Sequence, residues 1–337
     1  MKLPFYAGYG TRQQGELPTA LPIPQRSRLL KPEHYIADPG LKDACNVALL
    51  LGQPLLLTGE PGTGKTQFAY SLAWELGFDP PLKFETKSTS NARELFYTYD
   101  ALKRFQDAQS GVVSASPLDY ITYQALGLAI LQTREQVEVK QFLPLDFQYF
   151  SKKRSIILID EIDKAPRDFP NDLLNELEHM YFRIPELGNK KVEADPALLP
   201  ILIITSNSEK DLPDAFLRRC IYYNLPFPKS ERLTEIIANH LGLHADSNNP
   251  FLQAALNLFY KLRAPQTGLR KKPATAELLG WLLVLQKYTC DMDNPLTQLD
   301  VVLCTLSSLI KTTEDQEKAR KIVEQWMQEQ TASTKVG

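Results

Sequence analysis

The sequence predicts an α/β chain: a core of parallel strands covered by helices to about residue 227, then an all-helical part. Three observations carry this. Leu55-Leu56-Leu57 is a short apolar run set between a helical pattern and a glycine-rich stretch. Ile156-Ile157-Leu158-Ile159 is unbroken, mostly β-branched and followed by paired acids, which suits a central strand buried on both faces. After Pro226 and Pro228 the spacing turns helical, with Leu233, Ile236, Ile237, His240 and Leu241 on one face.

Each element has its own signal. Residues 1–30 carry Pro4, Pro18, Pro22 and Pro24 without a helical period and read as an extended arm ahead of a first domain over 31–227. Residues 41–51 place Leu41, Ala44, Val47, Ala48 and Leu51 on one helical face, and the Gly52-Gln53-Pro54 break leads into the first strand. A helix over 66–76 follows the glycine-rich turn. Residues 82–86 alternate like a strand, and the polar cluster at 87–91 opens a helical pattern over 92–106. Residues 110–150 read as an insertion, too long for a simple connection, with a helix around 120–131. Tyr97, Tyr99, Phe105, Tyr120 and Tyr123 are read as packing residues.

Residues 171–180 form a helix with Leu173, Leu174 and Leu177 inward, and the strands 181–184 and 191–193 flank Gly188-Asn189 as a hairpin. Ile201-Leu202-Ile203-Ile204 is the next core strand; a short helix lies within 212–220 and a last strand over 221–225. Helices around 252–262, 276–286, 299–310 and 319–327 fill the second domain, 228–337.

The chemistry concentrates in two places. Gly59-Glu60-Pro61-Gly62-Thr63-Gly64-Lys65-Thr66 fills every fixed position of the phosphate-cradling pattern G-x-x-x-x-G-K-[ST], between strand and helix. The glycines let backbone N–H groups turn toward an anion at a helix N-terminus, where the dipole also favours negative charge. Lys65 is expected on the β- and γ-phosphates, and Gln67 is counted with the loop. Thr66 is expected to offer its hydroxyl to magnesium, a hard cation that takes oxygen ligands. Asp160 is the second expected magnesium ligand, directly or through water, and Glu161 the base that orients and deprotonates the attacking water. A strand ending at a solvated acidic turn would look similar, but not with a phosphate loop roughly a hundred residues upstream.

Other polar residues are weaker signals. Asn207, after Thr205 and Ser206, is placed to hydrogen-bond the attacking water or the γ-phosphate, although an Asn there is often only a turn former. Arg218 and Arg219 either cap a short helix or reach as a finger into a neighbouring molecule's site. Asp163 and the run Lys152-Lys153-Arg154 are read as surface charges. His240 and His244 are four apart, but Gly242 lies between them and no Glu follows His240, so a zinc-protease pattern is not met.

Composition narrows the class. A chain of 337 residues with 43% hydrophobic content can hold two packed domains, and a net charge of −2 argues against a bulk polyanion-binding surface. Cys45, Cys220, Cys290 and Cys304 include no C-x-x-C pair, so neither a disulfide framework nor a zinc site is expected. Without a signal-peptide core or a run long enough to span a bilayer, the expectation is a soluble, cytoplasmic protein.

Phosphate loop, acidic strand, Asn-bearing strand, paired arginines and helical C-terminal part, in this order, resemble the AAA+ ATPases, and more closely their MoxR-like branch. Gly59 to Thr66 stand as Walker A, residues 156–161 as Walker B and Thr205-Ser206-Asn207 as sensor 1; the hairpin before sensor 1 and the 110–150 insertion are the branch features. The resemblance spans roughly residues 31–310. It implies a P-loop NTPase core with an all-helical lid, ATP and Mg2+ as ligands, and ATP hydrolysis. It also implies a homo-oligomeric, hexameric ring with chaperone-like remodelling or activation of a protein client, often one with a von Willebrand factor A domain. Relatives carry a lid arginine, sensor 2, on the γ-phosphate; residues 271–277 hold no Arg, so Lys272 or Lys271 would stand in, as a point charge without the planar fork. Two other classes stay open: a nucleotide-gated switch with incidental turnover, and a DNA-directed motor. Against the motor stand the near-neutral charge and the lack of an added DNA-binding motif.

Overall fold

A computed structural model describes residues 29–110, 116–144, 147–148, 151–243, 249–288 and 294–334. The chain divides into two compact units. One comprises residues 37–61 and 65–226; the other takes residues 62–64, those from 227 onward and the described residues before 37.

The first unit is built on five strands, β1 (Leu55–Thr58), β2 (Leu82–Glu85), β5 (Ile156–Asp160), β8 (Ile201–Thr205) and β9 (Ile221–Asn224), in the order β2-β5-β8-β1-β9. Every pairing is parallel. Two small antiparallel ribbons accompany the sheet, β3 (Tyr97–Tyr99) with β4 (Ile121–Tyr123), and β6 (Tyr181–Ile184) with β7 (Lys190–Glu193). The central strands are covered on both faces, as their continuous apolar runs require: Leu55, Leu56, Leu57, Ile157, Leu158 and Ile159 are wholly buried. Truncating such a side chain to Ala costs about 2–5 kcal/mol, so these runs fix the core.

Helix Pro39–Leu51 starts at Asp38, whose carboxylate accepts the Gly40 N–H, and stops at Gly52 in the left-handed region. Its buried residues are Leu41, Cys45 and Ala48, whereas Val47 and Leu51, expected on the core face, are exposed. The seam runs at i, i+4 and i+7, one residue off the anticipated stripe.

The expected helix over 92–106 is broken. It becomes a 3-10 turn at Ala92–Leu95, the strand Tyr97–Tyr99 and a helix Ala101–Gln109, because β3 finds a partner in β4 and Asp100 caps a new helix by accepting the Lys103 N–H. The expected helix around 120–131 likewise gives up its first turn to β4 and begins at Ala125. Gly127 lets helix Ala125–Gln132 approach the main chain: a Cβ there would lie 2.0 Å from the Phe96 carbonyl oxygen. Leu126, Ala129 and Ile130 of this helix join the core of the sheet. Tyr97 and Tyr120 pack as expected, but Phe105 is exposed. The expected helix over 171–180 is split into Phe169–Asp172 and Leu174–His179.

The second unit is helical: Ser230–Leu241, Pro250–Arg263, Thr275–Tyr288, Leu299–Leu309 and Thr313–Thr334. Its core gathers Leu233, Ile237, Phe259, Trp281 and Trp326. The two indoles keep partners as they are buried, Trp281 donating to Thr305 Oγ1 at 2.9 Å and Trp326 to Asn257 Oδ1 at 2.7 Å. His244, Cys290 and the arm up to residue 28 lie outside the described residues.

Candidate functional site

Strand order decides what meets at the carboxyl edge of the sheet. Because β8 lies between β1 and β5, the residues that follow these three strands emerge side by side. Register refines it, with Leu57 opposite Thr205 and Ile159 opposite Ile204.

The phosphate loop leaves β1 with Gly59, Gly62 and Gly64 all at positive φ, 130°, 76° and 97°. At Gly59 the need is also steric, since a Cβ would fall 2.4 Å from the Leu225 carbonyl oxygen. Helix Lys65–Glu75 follows, so Lys65 and Thr66 stand in its first turn. Lys65 is buried and folds back over its own loop, donating to the carbonyls of Gly59 at 2.8 Å and Glu60 at 3.0 Å. Burial lowers its pKa, while the carboxylates of Asp163, Asp160, Glu161 and Glu60 work to keep it charged. A buried ammonium curled over a ring of backbone turns is the arrangement that an anionic phosphate chain fits.

Asp160 ends β5 at 7% exposure, and its Oδ1 accepts two hydroxyls, Thr66 Oγ1 at 2.9 Å and Thr205 Oγ1 at 2.7 Å. Its Oδ2 faces Lys83 Nζ at 3.0 Å. Burial works to raise the Asp160 carboxyl, but the hydrogen bonds from Thr205, Lys83 and Thr66 outweigh it and hold the group below its ordinary value. A hydroxyl and a carboxylate oxygen held together in this way fit a hard divalent cation, which Thr66 and Asp160 would hold.

Glu161 follows at φ 57°, ψ 51°, a left-handed conformation that a non-glycine residue adopts at a cost of about 1–3 kcal/mol. Its N–H donates to Thr205 Oγ1 at 2.9 Å, which helps hold the turn. The turn carries the Glu161 side chain out of the strand's alternation to Asn207, whose Nδ2 donates to Glu161 Oε1 at 3.1 Å. Lys164, three residues on, pairs with Oε2.

Asp163 is not a surface charge. It is 2% exposed, because its carboxylate accepts the backbone N–H groups of Asn207, at 3.2 Å to Oδ2, and of Glu209, at 3.0 Å. Lys152 pairs with Asp195 and Lys153 with Asp79, and Arg154 donates to the Ala197 carbonyl.

The two arginines differ. Arg219 donates to Glu178 Oε2 at 3.0 Å and to the Ala215 carbonyl at 3.1 Å, which caps the helix Asp214–Leu217. Arg218 is exposed, and its guanidinium meets no partner among the described residues. Lys272 lies in the helical unit, exposed and without a described side-chain partner.

Lys83 and Lys164 carry no signal in the sequence pattern, and the contacts of Thr205 with Asp160 and Glu161 are visible only in the structure. Lys83 sits in β2, within the stretch 82–86 that alternates like a strand, and an alternating polar position there gives no sign of a partner. The signal for Asp163 was its spacing, two residues beyond the acidic pair.

Residues 54–220 match the family of the AAA domain (dynein-related subfamily). No curated protein matches the chain. The matched stretch holds the phosphate loop, the acidic pair, Asn207 and both arginines, together with strands β1 to β8; β9 completes the parallel five-stranded sheet just beyond it, and the helical C-terminal part follows. Among the described residues no helix is long and apolar enough to cross a membrane.

Proposed function

We propose that this AAA domain is a magnesium-dependent ATPase of the MoxR-like kind, working in a homo-oligomeric ring and using hydrolysis to remodel or activate a protein client. One observation carries the hydrolytic part: Glu161 is turned out of its strand against Asn207 at 3.1 Å, one residue from an Asp160 carboxylate that already accepts the Thr66 hydroxyl. In this reading the loop from Gly59 to Gly64, with Lys65, binds the phosphates, and Thr66 and Asp160 hold Mg2+. The cation supplies charge neutralisation on the phosphoryl oxygens. Glu161 accepts the proton of the attacking water, Asn207 aligns that water, and an arginine of a neighbouring copy meets the charge that develops on the transferred group.

The hairpin Tyr181–Ile184 with Lys190–Glu193, directly before the Asn207 strand, supports the MoxR-like branch. On that reading a client bearing a von Willebrand factor A domain is the partner to try first. Phosphate release from ATP, with and without Mg2+, tests the activity. Wild-type turnover that vanishes in Glu161→Gln while nucleotide still binds is the expected result. No turnover by the assembled wild-type protein would leave bound nucleotide itself as the signal, the regulatory-switch alternative.

A further inference from the structure

Asp163 takes no part in the reading above, yet it is one of the few buried acids in its unit. It follows Ile162 in the 3-10 turn after β5, so its carboxylate points across to the segment that leaves β8. There it accepts the N–H of Asn207, at 3.3 Å to Oδ1 and 3.2 Å to Oδ2, and the N–H of Glu209 at 3.0 Å. Those two donors flank Ser208, which holds φ 58°, a left-handed value that serine adopts only when its surroundings impose it. A second tie closes the same turn, the Ser208 N–H donating to Ser206 Oγ at 3.0 Å.

The consequence for Asn207 is geometric. Its main chain is fixed by Asp163 and its side chain by Glu161, two acids of one turn. Without the Asp163 contact two N–H groups would lose their acceptor and the left-handed turn its support, so Asn207 would drift from Glu161. A carboxylate serves better than an amide here because it is acceptor-only, with room for three N–H contacts on two oxygens.

We propose that Asp163 is a positioning residue for ATP hydrolysis, acting through Asn207 by holding its backbone so that the amide stays on Glu161. This rests on the ATPase reading. Asp163 makes no hydrogen bond to the reacting groups in that scheme, so what the turn contributes runs through Asn207 and vanishes when Asn207 is gone, whereas the help its charge gives Lys65 would show as a change in ATP binding.

A double-mutant cycle on the full chain tests it, with steady-state ATP turnover measured for wild type, Asp163→Asn, Asn207→Ala and the pair. Asp163→Asn keeps the volume but turns an acceptor into a donor, and is expected to lower kcat by about tenfold to hundredfold, the scale of a misplaced group. The KM for ATP should stay within about twofold, because the contacts of the phosphate loop are unchanged; a larger rise would assign the effect to the charge lost near Lys65 and overturn the proposal. In the Asn207→Ala background the same change should cost less than about twofold. Losses that multiply in the pair, or an Asp163→Asn protein with wild-type kcat, overturn the proposal. Wild-type kcat in Asn207→Ala overturns the Asn207 assignment and the proposal together, and absence of turnover in the assembled wild type overturns the ATPase reading itself. Melting temperature and ATP affinity report folding of each variant. Should Asp163→Asn not fold, Asp163→Ser replaces it in the same cycle.

Discussion

The Thr66 hydroxyl donates to Asp160 Oδ1 at 2.9 Å, joining residues 94 apart in the chain. The contact exists because the helix after β1 and the end of β5 open on the same sheet edge, and it brings together the two oxygens proposed as magnesium ligands. Thr66→Ala should therefore raise the Mg2+ concentration that half-saturates activity by about tenfold to hundredfold, and Thr66→Ser should restore it. A Mg2+ titration of turnover checks both. Equal Mg2+ dependence in Thr66→Ala and wild type would remove Thr66 from the cation site.

Lys65 folds onto the carbonyls of Gly59 and Glu60 in the structure, a position it can exchange for a phosphate. Lys65→Ala is expected to weaken ATP binding by at least about tenfold, the scale of a lost charge-assisted hydrogen bond. A titration with a fluorescent ATP analogue measures it. Unchanged affinity would move the phosphates elsewhere.

Glu161→Gln keeps the shape of the side chain and can still meet Asn207, so ATP binding should persist while hydrolysis stops. The amide can no longer take the proton. Lys164→Met, which removes the cation on Glu161 Oε2, gives a contrasting variant that retains the base. Hydrolysis by Glu161→Gln at the wild-type rate would assign the base to another group.

What the sequence made legible follows from how local each signal is. The glycine pattern from Gly59 to Thr66, the apolar runs of β1, β5 and β8, and the hairpin around Gly188-Asn189 are written in contiguous residues, and all appear where expected. The helix expected over 92–106 was not legible. Its interruption at Tyr97-Thr98-Tyr99 depends on β4, more than twenty residues away by pairing of Tyr97 with Tyr123. Asp163 and Lys83 owe their places to nonlocal contacts: Asp163, after β5, accepts the N–H of Asn207 beyond the end of β8, and Lys83 of β2 meets Asp160 at the end of β5, and single-chain patterning does not place a charge held by a contact so far away in the chain. Arg218 and Arg219 were adjacent in sequence and indistinguishable, until Glu178 and Ala215 claimed one of them.

His240 gives the helical unit a pH dependence with a definite sign. Burial, with the His34 ring edge-on at 5.6 Å, lowers its pKa from 6.5 to about 4, and its Nδ1 has no hydrogen-bond partner among the described residues. The folded pKa lies below the unfolded one, so the unfolded chain takes the proton first. The stability tied to neutral His240 is complete above pH 6.5 and is lost progressively as pH falls from 6.5 toward 4, by up to about 3 kcal/mol. His240→Leu should flatten this part of the curve. Melting temperatures at about pH 7.5 and about pH 5 for both proteins check it, and an unchanged difference between the two pH values in His240→Leu would assign the dependence to other groups.

Arg218 and Arg219, adjacent in the chain, differ in what they touch. Arg219 is engaged at both ends of its guanidinium, by Glu178 Oε2 at 3.0 Å and by the Ala215 carbonyl of its own helix at 3.1 Å. Its ion pair is half exposed, so Arg219→Ala should cost no more than about 1 kcal/mol and leave turnover per assembled site nearly intact. Arg218 is exposed and has no described side-chain partner, at the end of the helix Asp214–Leu217 that leads into β9. A guanidinium kept free in this way fits an anion supplied by another molecule, and an arginine given in trans to a transferring phosphoryl group is worth roughly 10³–10⁵ in rate. Arg218→Ala should then bind ATP normally, turn it over at least about a thousandfold more slowly, and do so at every protein concentration, while wild-type specific activity rises with concentration. Mixing makes the trans role visible. Glu161→Gln protein has a dead site but an intact Arg218, and Arg218→Ala protein has an intact site, so a ring containing both should recover activity that neither has alone. No recovery on mixing, together with activity independent of concentration, would mean that Arg218 does not act across a subunit boundary.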